Sequence, residues 1–395
     1  MLWRALLSGS AADRALAAAC EAAARLAHPD RVEAGMDRAR QQSEEPAFLR
    51  WTPWSVAQGD AGLALLYGQL DRTLPGQGWD ALAHRCLERA VRATEQPGAR
   101  LSGALFSGWA GLLFVAEYLS RGTRYARLRT TLRAQAEDSS QRLLERLQAH
   151  RGGLGVGDWD LISGLTGCAV ALTREPVLRF LADLLQRTGW VTPADQVHAS
   201  MRPELPEGGF NLGLAHGVPG PLALLCLAGQ PAPEPALGIL ERARLEDDWG
   251  PNWPNAVPLR AGGQPDYVHL RPTHAAWCYG SPGVARALWH AGRRQPALEA
   301  MRAVARRPDA ARRLASPALC HGWAGLALQA LRFWNDTSDP DLEALARTMF
   351  QRLTEETSWM EGHPGFLDGA AGIALALAAA ASHVEPGWDR ILLLS

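Results

Sequence analysis

Residues 322–331 read GWAGLALQAL, two glycines three apart at the head of an almost unbroken leucine and alanine run. Six other stretches repeat that outline: GDAGLALLYG from Gly59, GWAGLLFVAEYL from Gly108, GLTGCAVAL from Gly164, GVPGPLALLCL from Gly217, GSPGVARALW from Gly280 and GAAGIALAL from Gly369. Successive first glycines lie 49, 56, 53, 63, 42 and 47 residues apart. One copy would be a weak signal, whereas seven at similar spacing indicate a repeated architecture. About fifty residues, less the connecting turns, hold two helices of ordinary length. The segments after the glycines are apolar nearly all round, the pattern of helices buried on every side. Amphipathic stretches lie between them. Residues 137–149 place Leu143, Leu144 and Leu147 on one face, and residues 11–28 do the same with Leu16, Cys20, Ala23 and Leu26. Strand signals are scarce. The sequence therefore predicts an all-α protein, an α/α toroid of seven helix-pair repeats with the apolar helices as an inner ring, forming a single domain over residues 1–395. The paired glycines predict either positive φ or close backbone approach where the chain turns inward.

Apolar residues make up 47% of the chain, enough for a substantial core. Forty basic against 41 acidic residues leave a net charge of −1, which argues against nucleic acid or an anionic membrane as partner. All the basic residues are arginine, which reads as a mark of ancestry. The sequence offers neither a signal peptide nor an apolar run of membrane-spanning length, so the expected location is the cytoplasm, with no membrane insertion. There the scattered cysteines Cys20, Cys86, Cys168, Cys226, Cys278 and Cys320 are expected as reduced thiols in ligand or core roles. The longest interval, between the fourth and fifth copies, contains QPAPEPALG and DDWGPNWPNAVPLRAGGQPDY and reads as an ordered loop beside a site.

Aligning the copies on their first glycine brings the two preceding positions to one end of the toroid. Those pairs are Ala57-Gln58, Phe106-Ser107, Ile162-Ser163, Ala215-His216, Cys278-Tyr279, Cys320-His321 and Leu367-Asp368. Cys278, Cys320 and His321 make two thiolates and an imidazole at matched offsets, a donor set that zinc prefers and that leaves a tetrahedral site one ligand short. Three ligands and a vacancy mean a catalytic zinc; a structural one would take its fourth ligand from His274 or His216. Singly, such cysteines and histidines are more often buried core residues, and the matched offsets are what favour the metal. His216 shares the offset of His321 and suits a general acid or base. Asp160 and Asp158 precede the third signature, where acids commonly cap helices.

The strings LAHGVPG, WCYGSPG, CHGWAGL and GFLDGAAGIALAL, in this order, resemble the lanthionine synthetase C-like proteins, the cyclases of lanthipeptide biosynthesis. WDLISGLTG before the third signature and GWDRILLL near residue 390 extend the likeness over nearly the whole chain. It implies an α/α toroid with one zinc ion, held by Cys278, Cys320 and His321, that recruits a cysteine thiol of a precursor peptide as fourth ligand. The sulfur would add to the β-carbon of dehydroalanine or dehydrobutyrine, closing a thioether ring, with His216 as the acid that reprotonates the α-carbon. Asp160 matches the family aspartate that would orient His216 or shuttle a proton. The implied partners are the dehydrated precursor, leader plus core, and a lanthipeptide dehydratase. Where many family cyclases carry an arginine four residues before the cysteine of the WCYG string, this chain has His274, with Arg271 three residues further upstream. Either would have to stand in as the group that stabilises the enolate.

Three other readings compete. Animal relatives associated with adding glutathione to dehydrated residues share the same zinc and sulfur chemistry. A non-catalytic toroid could bind peptide, with zinc only stiffening its mouth. A toroidal glycosidase would need paired carboxylates, for which Asp160 and Asp368 are the candidates.

Overall fold

Every predicted signature opens a helix in the computed structural model, which describes residues 2–150, 152–187 and 190–395. These helices are Asp60–Thr73, Trp109–Leu119, Leu165–Leu172, Pro219–Leu227, Ser281–His290, Trp323–Thr337 and Ala370–Ala380. All eight residues of Leu165–Leu172 and all eleven of Ala370–Ala380 are buried, as their unbroken apolar sequence requires. Six of the seven are followed by a second helix: Trp79–Thr94, Ala126–Ala149, Glu175–Gln186, Glu234–Arg242, Arg294–Arg306 and Pro340–Glu355. The helix Ala370–Ala380 instead packs against Gly9–Leu26 from the other end of the sequence. That partner buries Ala15, Ala18, Ala19, Ala22, Ala23 and Leu26. The face therefore differs from the expected one, with Leu16 and Cys20 only partly buried at its edge. Two alanine-lined helices approach more closely than leucines would allow, and this decides the rotation.

The chain divides into two compact units, one of residues 1–102, 106–133 and 315–389, the other of residues 103–105, 134–314 and 390–395. In the first, neighbouring signature helices pack in the order sixth, seventh, first, second. In the second, the third, fourth and fifth pack in sequence order. Four strands of three residues also occur in the second unit. Gly209–Asn211 pairs antiparallel with Ala256–Pro258, and Leu245–Asp247 with Gly250–Asn252. The Pro- and Trp-rich interval is thus ordered, but part of QPAPEPALG is helix rather than loop, because the prolines fall at Pro233 and Pro235, where a helix start tolerates them. Buried Arg307 fastens the shorter hairpin, donating to Asp247 Oδ2 at 2.9 Å and to the Pro251 carbonyl at 2.7 Å. Among the described residues no helix is long and apolar enough to cross a membrane.

Of the two roles expected for the paired glycines, close approach is the general one. A Cβ on Gly62 would lie 2.2 Å from the Val56 carbonyl oxygen, and one on Gly372 would lie 1.9 Å from that of Phe366. In both cases the carbonyl belongs to the residue six earlier, so the second glycine lets the incoming loop lie flat on the first turn of its helix. Positive φ occurs at one of the seven first glycines, Gly280, at 96°.

Candidate functional site

The loops entering the signature helices are tied to one another by backbone hydrogen bonds at equivalent positions. In the second unit Leu161 N–H donates to the Ala215 carbonyl at 3.1 Å, and Ala215 N–H donates to that of Cys278 at 3.3 Å. In the first unit Cys320 N–H donates to Leu367 at 2.9 Å, Phe366 to Ala57 at 2.8 Å and Val56 to Phe106 at 2.8 Å. The accepting carbonyl lies each time two residues before a first glycine. This ladder is the physical counterpart of the alignment by offset.

Asp160 and His216 meet in this ladder. His216 Nδ1 lies 2.7 Å from Asp160 Oδ2. The carboxylate's other oxygen accepts from the backbone of Ser163 at 2.7 Å and Gly164 at 2.9 Å, turning the chain into Leu165–Leu172. Asp160 therefore does two things at once, closing a turn and holding an imidazole. Its side chain is 2% exposed, whereas that of His216 is 37% exposed. An ionised carboxylate only accepts, so Nδ1 carries hydrogen and Nε2 is left as the exchangeable atom. Burial works against a charged ring, but the Asp160 hydrogen bond and charge, with Cys278 adding to them, outweigh it, and the His216 pKa is raised above its ordinary value. Asp158 takes no part: it accepts from Gly155 N–H at 3.1 Å and lies 3.3 Å from Arg146.

Tyr279 and Asn211 were not singled out by the sequence. The Tyr279 ring stacks at 6.2 Å from that of His216 and meets His274 edge-on at 6.4 Å. Its hydroxyl oxygen accepts from Asn211 Nδ2 at 2.8 Å, while Asn211 Oδ1 accepts from Gly213 N–H at 2.9 Å. Tyr279 shares the offset of His216, which could have marked it. Asn211 lies outside the offset and left no such signal.

The His274 tautomer follows from its neighbours. Thr273 Oγ1 donates to Asn255 Oδ1 at 2.6 Å, so toward His274 Nδ1, 3.3 Å away, it acts as acceptor. Nδ1 then carries hydrogen and Nε2 is a lone pair, buried and without a hydrogen-bond partner. Arg271 is exposed.

The second unit carries Cys278 and the first carries Cys320 and His321, each at the offset its repeat shares with the others. Zinc prefers thiolate and imidazole donors, so two cysteines and a histidine fit that ion by their chemistry. Cys278 is buried, Cys320 partly buried and His321 exposed. His321 Nδ1 lies 3.7 Å from Asp368 Oδ1, a carboxylate at the same offset of the next repeat. The remaining cysteines are of another kind. None of the six forms a disulfide, and burial pushes the thiols of Cys86 and Cys168 up to about 12 and that of Cys226 up to about 11.

Residues 50–393 match the family model described as lanthionine synthetase C-like protein. Among curated protein sequences none matches the chain. A solved structure described as nisin cyclase superposes with a TM-score of 0.74 at 20% identity, covering 92% of this chain and 97% of that one. A likeness at that identity shows the fold, and the fold is an α/α toroid.

Proposed function

Since this chain belongs to the lanthionine synthetase C-like family, we propose that it is a zinc-dependent cyclase adding cysteine thiols of a precursor peptide to its own dehydroalanine or dehydrobutyrine residues. What supports this reading is the donor chemistry of Cys278, Cys320 and His321 at matched offsets, a set that would leave a tetrahedral zinc one position for an incoming sulfur. Zinc bound there would lower the thiol pKa from about 8.5, supplying a thiolate at neutral pH.

The chain's own residues account for the protons. Carbon–sulfur bond formation at the β-carbon leaves an enolate whose α-carbon must gain a proton. His216 delivers it from Nε2, and the raised pKa keeps the ring protonated further toward neutral pH. Asp160 fixes the ring's tautomer and balances its charge through Nδ1. The thiol loses one proton and the α-carbon gains one, so the product has the mass of the substrate. His274 stands where many relatives carry arginine and lies edge-on to Tyr279, which makes it the residue placed to stand in for that group. Substrate is a dehydrated precursor peptide of leader and core, delivered by a dehydratase.

The test incubates zinc-loaded protein with a dehydrated, cysteine-containing peptide, counting free thiols and recording mass. Loss of thiols at constant mass supports the cyclase. Gain of one glutathione mass, when that thiol is supplied, assigns the intermolecular reaction, and unchanged thiols with retained peptide binding assign a non-catalytic module.

A further inference from the structure

The loop carrying Cys278 is held by three backbone hydrogen bonds in its own unit, one of them within the loop itself. Ala275 N–H donates to the Arg312 carbonyl at 2.9 Å, Ala276 N–H to that of Tyr279 at 3.1 Å, and the Cys278 carbonyl accepts from Ala215. A fourth tie comes from more than a hundred residues away. Trp277 is fully buried, and its indole Nε1 donates to the Leu392 carbonyl at 2.9 Å. The next two carbonyls of that segment are taken by the helix Ser281–His290. Leu393 O lies 3.0 Å from His290 Nε2, and Leu394 O accepts from Nη2 of the buried Arg286. Three consecutive carbonyls thus meet three side chains of the stretch that carries the ligand. The segment is held elsewhere too: Leu393 N–H donates to the Arg390 carbonyl at 3.0 Å, and Arg390 Nη2 to that of Val170 at 2.8 Å. Leu393 has φ of 56°, in the left-handed region that leucine rarely adopts. Such a bend persists where its surroundings over-determine it, and the three side-chain partners do so here.

We infer that the segment from Arg390 to Leu394 is a positioning strap for Cys278, acting through Trp277. The inference rests on the reading of Cys278, Cys320 and His321 as zinc ligands. Residues behind a ligand that fix its orientation commonly contribute about ten- to a hundredfold in metal affinity, because a site that must become ordered on binding loses affinity to that ordering. Trp277 and Cys278 are adjacent in sequence, so an indole packed in the core and tied to Leu392 restrains the backbone that aims the thiolate. Its role is positional: it offers the ion no ligand and the peptide no proton.

The test uses the full chain and compares Trp277→Phe, which keeps an aromatic ring and loses the N–H, with Trp190→Phe. Trp190 is equally buried in the same unit, but its Nε1 has no partner. Zinc affinity is read by competition with a chromophoric chelator, and the thermal midpoint of the metal-stripped protein is read alongside it. Trp277→Phe is expected to weaken zinc binding about tenfold or more, with Trp190→Phe at the wild-type affinity and the two stripped proteins melting at similar temperatures. His290→Ala, which frees Leu393, weakens binding in the same direction and serves if Trp277→Phe does not fold. Wild-type affinity in Trp277→Phe, or in His290→Ala when that variant stands in, overturns the strap, as does equal weakening in Trp190→Phe. Absence of stoichiometric zinc from the wild type is a different result, overturning the ligand reading and the strap with it.

Discussion

Asp160 holds His216 through one carboxylate oxygen, at 2.7 Å from Nδ1, and closes the turn into Leu165–Leu172 through the other. A single side chain therefore links the helix start to the orientation and charge of the imidazole.

Asp160→Asn separates those two duties. The amide oxygen still closes the turn, but an NH2 group facing Nδ1 favours the opposite tautomer and no longer stabilises the charged ring. The His216 pKa is raised in the native protein, so the charged acid is present at low pH and lost as pH rises through that raised value; any stability from the pair is lost over the same window. Removing the cause moves the alkaline limb of the rate to lower pH. Ring closure is expected to slow by about 10²- to 10⁴-fold with zinc retained, matching His216→Ala. A pH profile of thiol consumption checks this, and an unshifted limb counts against the acid assignment.

Cys320→Ala removes one of the thiols proposed to bind zinc, whereas Cys168→Ala removes a buried thiol that hydrogen-bonds the Gly103 carbonyl at 2.9 Å. The first is expected to lose stoichiometric zinc and thiol consumption together. The second costs about 1–2 kcal/mol of stability and keeps both metal and activity. Metal analysis of the two purified variants decides it, and full zinc and activity in Cys320→Ala removes that residue from the ligand set.

His274 and Arg271 are separated by exposure. The His274 Nε2 is buried without a partner, whereas Arg271 is exposed. His274→Ala is expected to lower the rate of ring closure by about 10²-fold, and Arg271→Ala to leave it within a factor of two or so. The reverse order in steady-state rates would place the cation on Arg271.

Gly62→Ala and Gly157→Ala contrast the two environments glycine occupies. An added Cβ at Gly62 meets the Val56 carbonyl at 2.2 Å, while at Gly157 it meets nothing within 4 Å. Denaturant unfolding should show a loss of about 1–3 kcal/mol for the first and a change within about 0.5 kcal/mol for the second.

The sequence by itself determined the seven signature helices, because an apolar segment behind two glycines leaves a local mark that recurs at nearly fixed spacing. The same register set apart Cys278, Cys320, His321 and His216, since their residue types differ from the apolar residues at that offset elsewhere. Tertiary structure alone decided the rest: Gly9–Leu26 as partner of Ala370–Ala380, the alanine face it uses, the tautomers of His216 and His274, and Asn211 behind Tyr279. The leucines at 392–394 read in the sequence only as apolar residues, yet the Leu392 carbonyl accepts from Trp277 beside Cys278, and those of Leu393 and Leu394 meet His290 and Arg286. Each of these depends on partners that the fold brings together without any periodic spacing. Hydrogen bonds to backbone carbonyls, moreover, are indifferent to the identity of the residue supplying them, so they leave no trace in its letter.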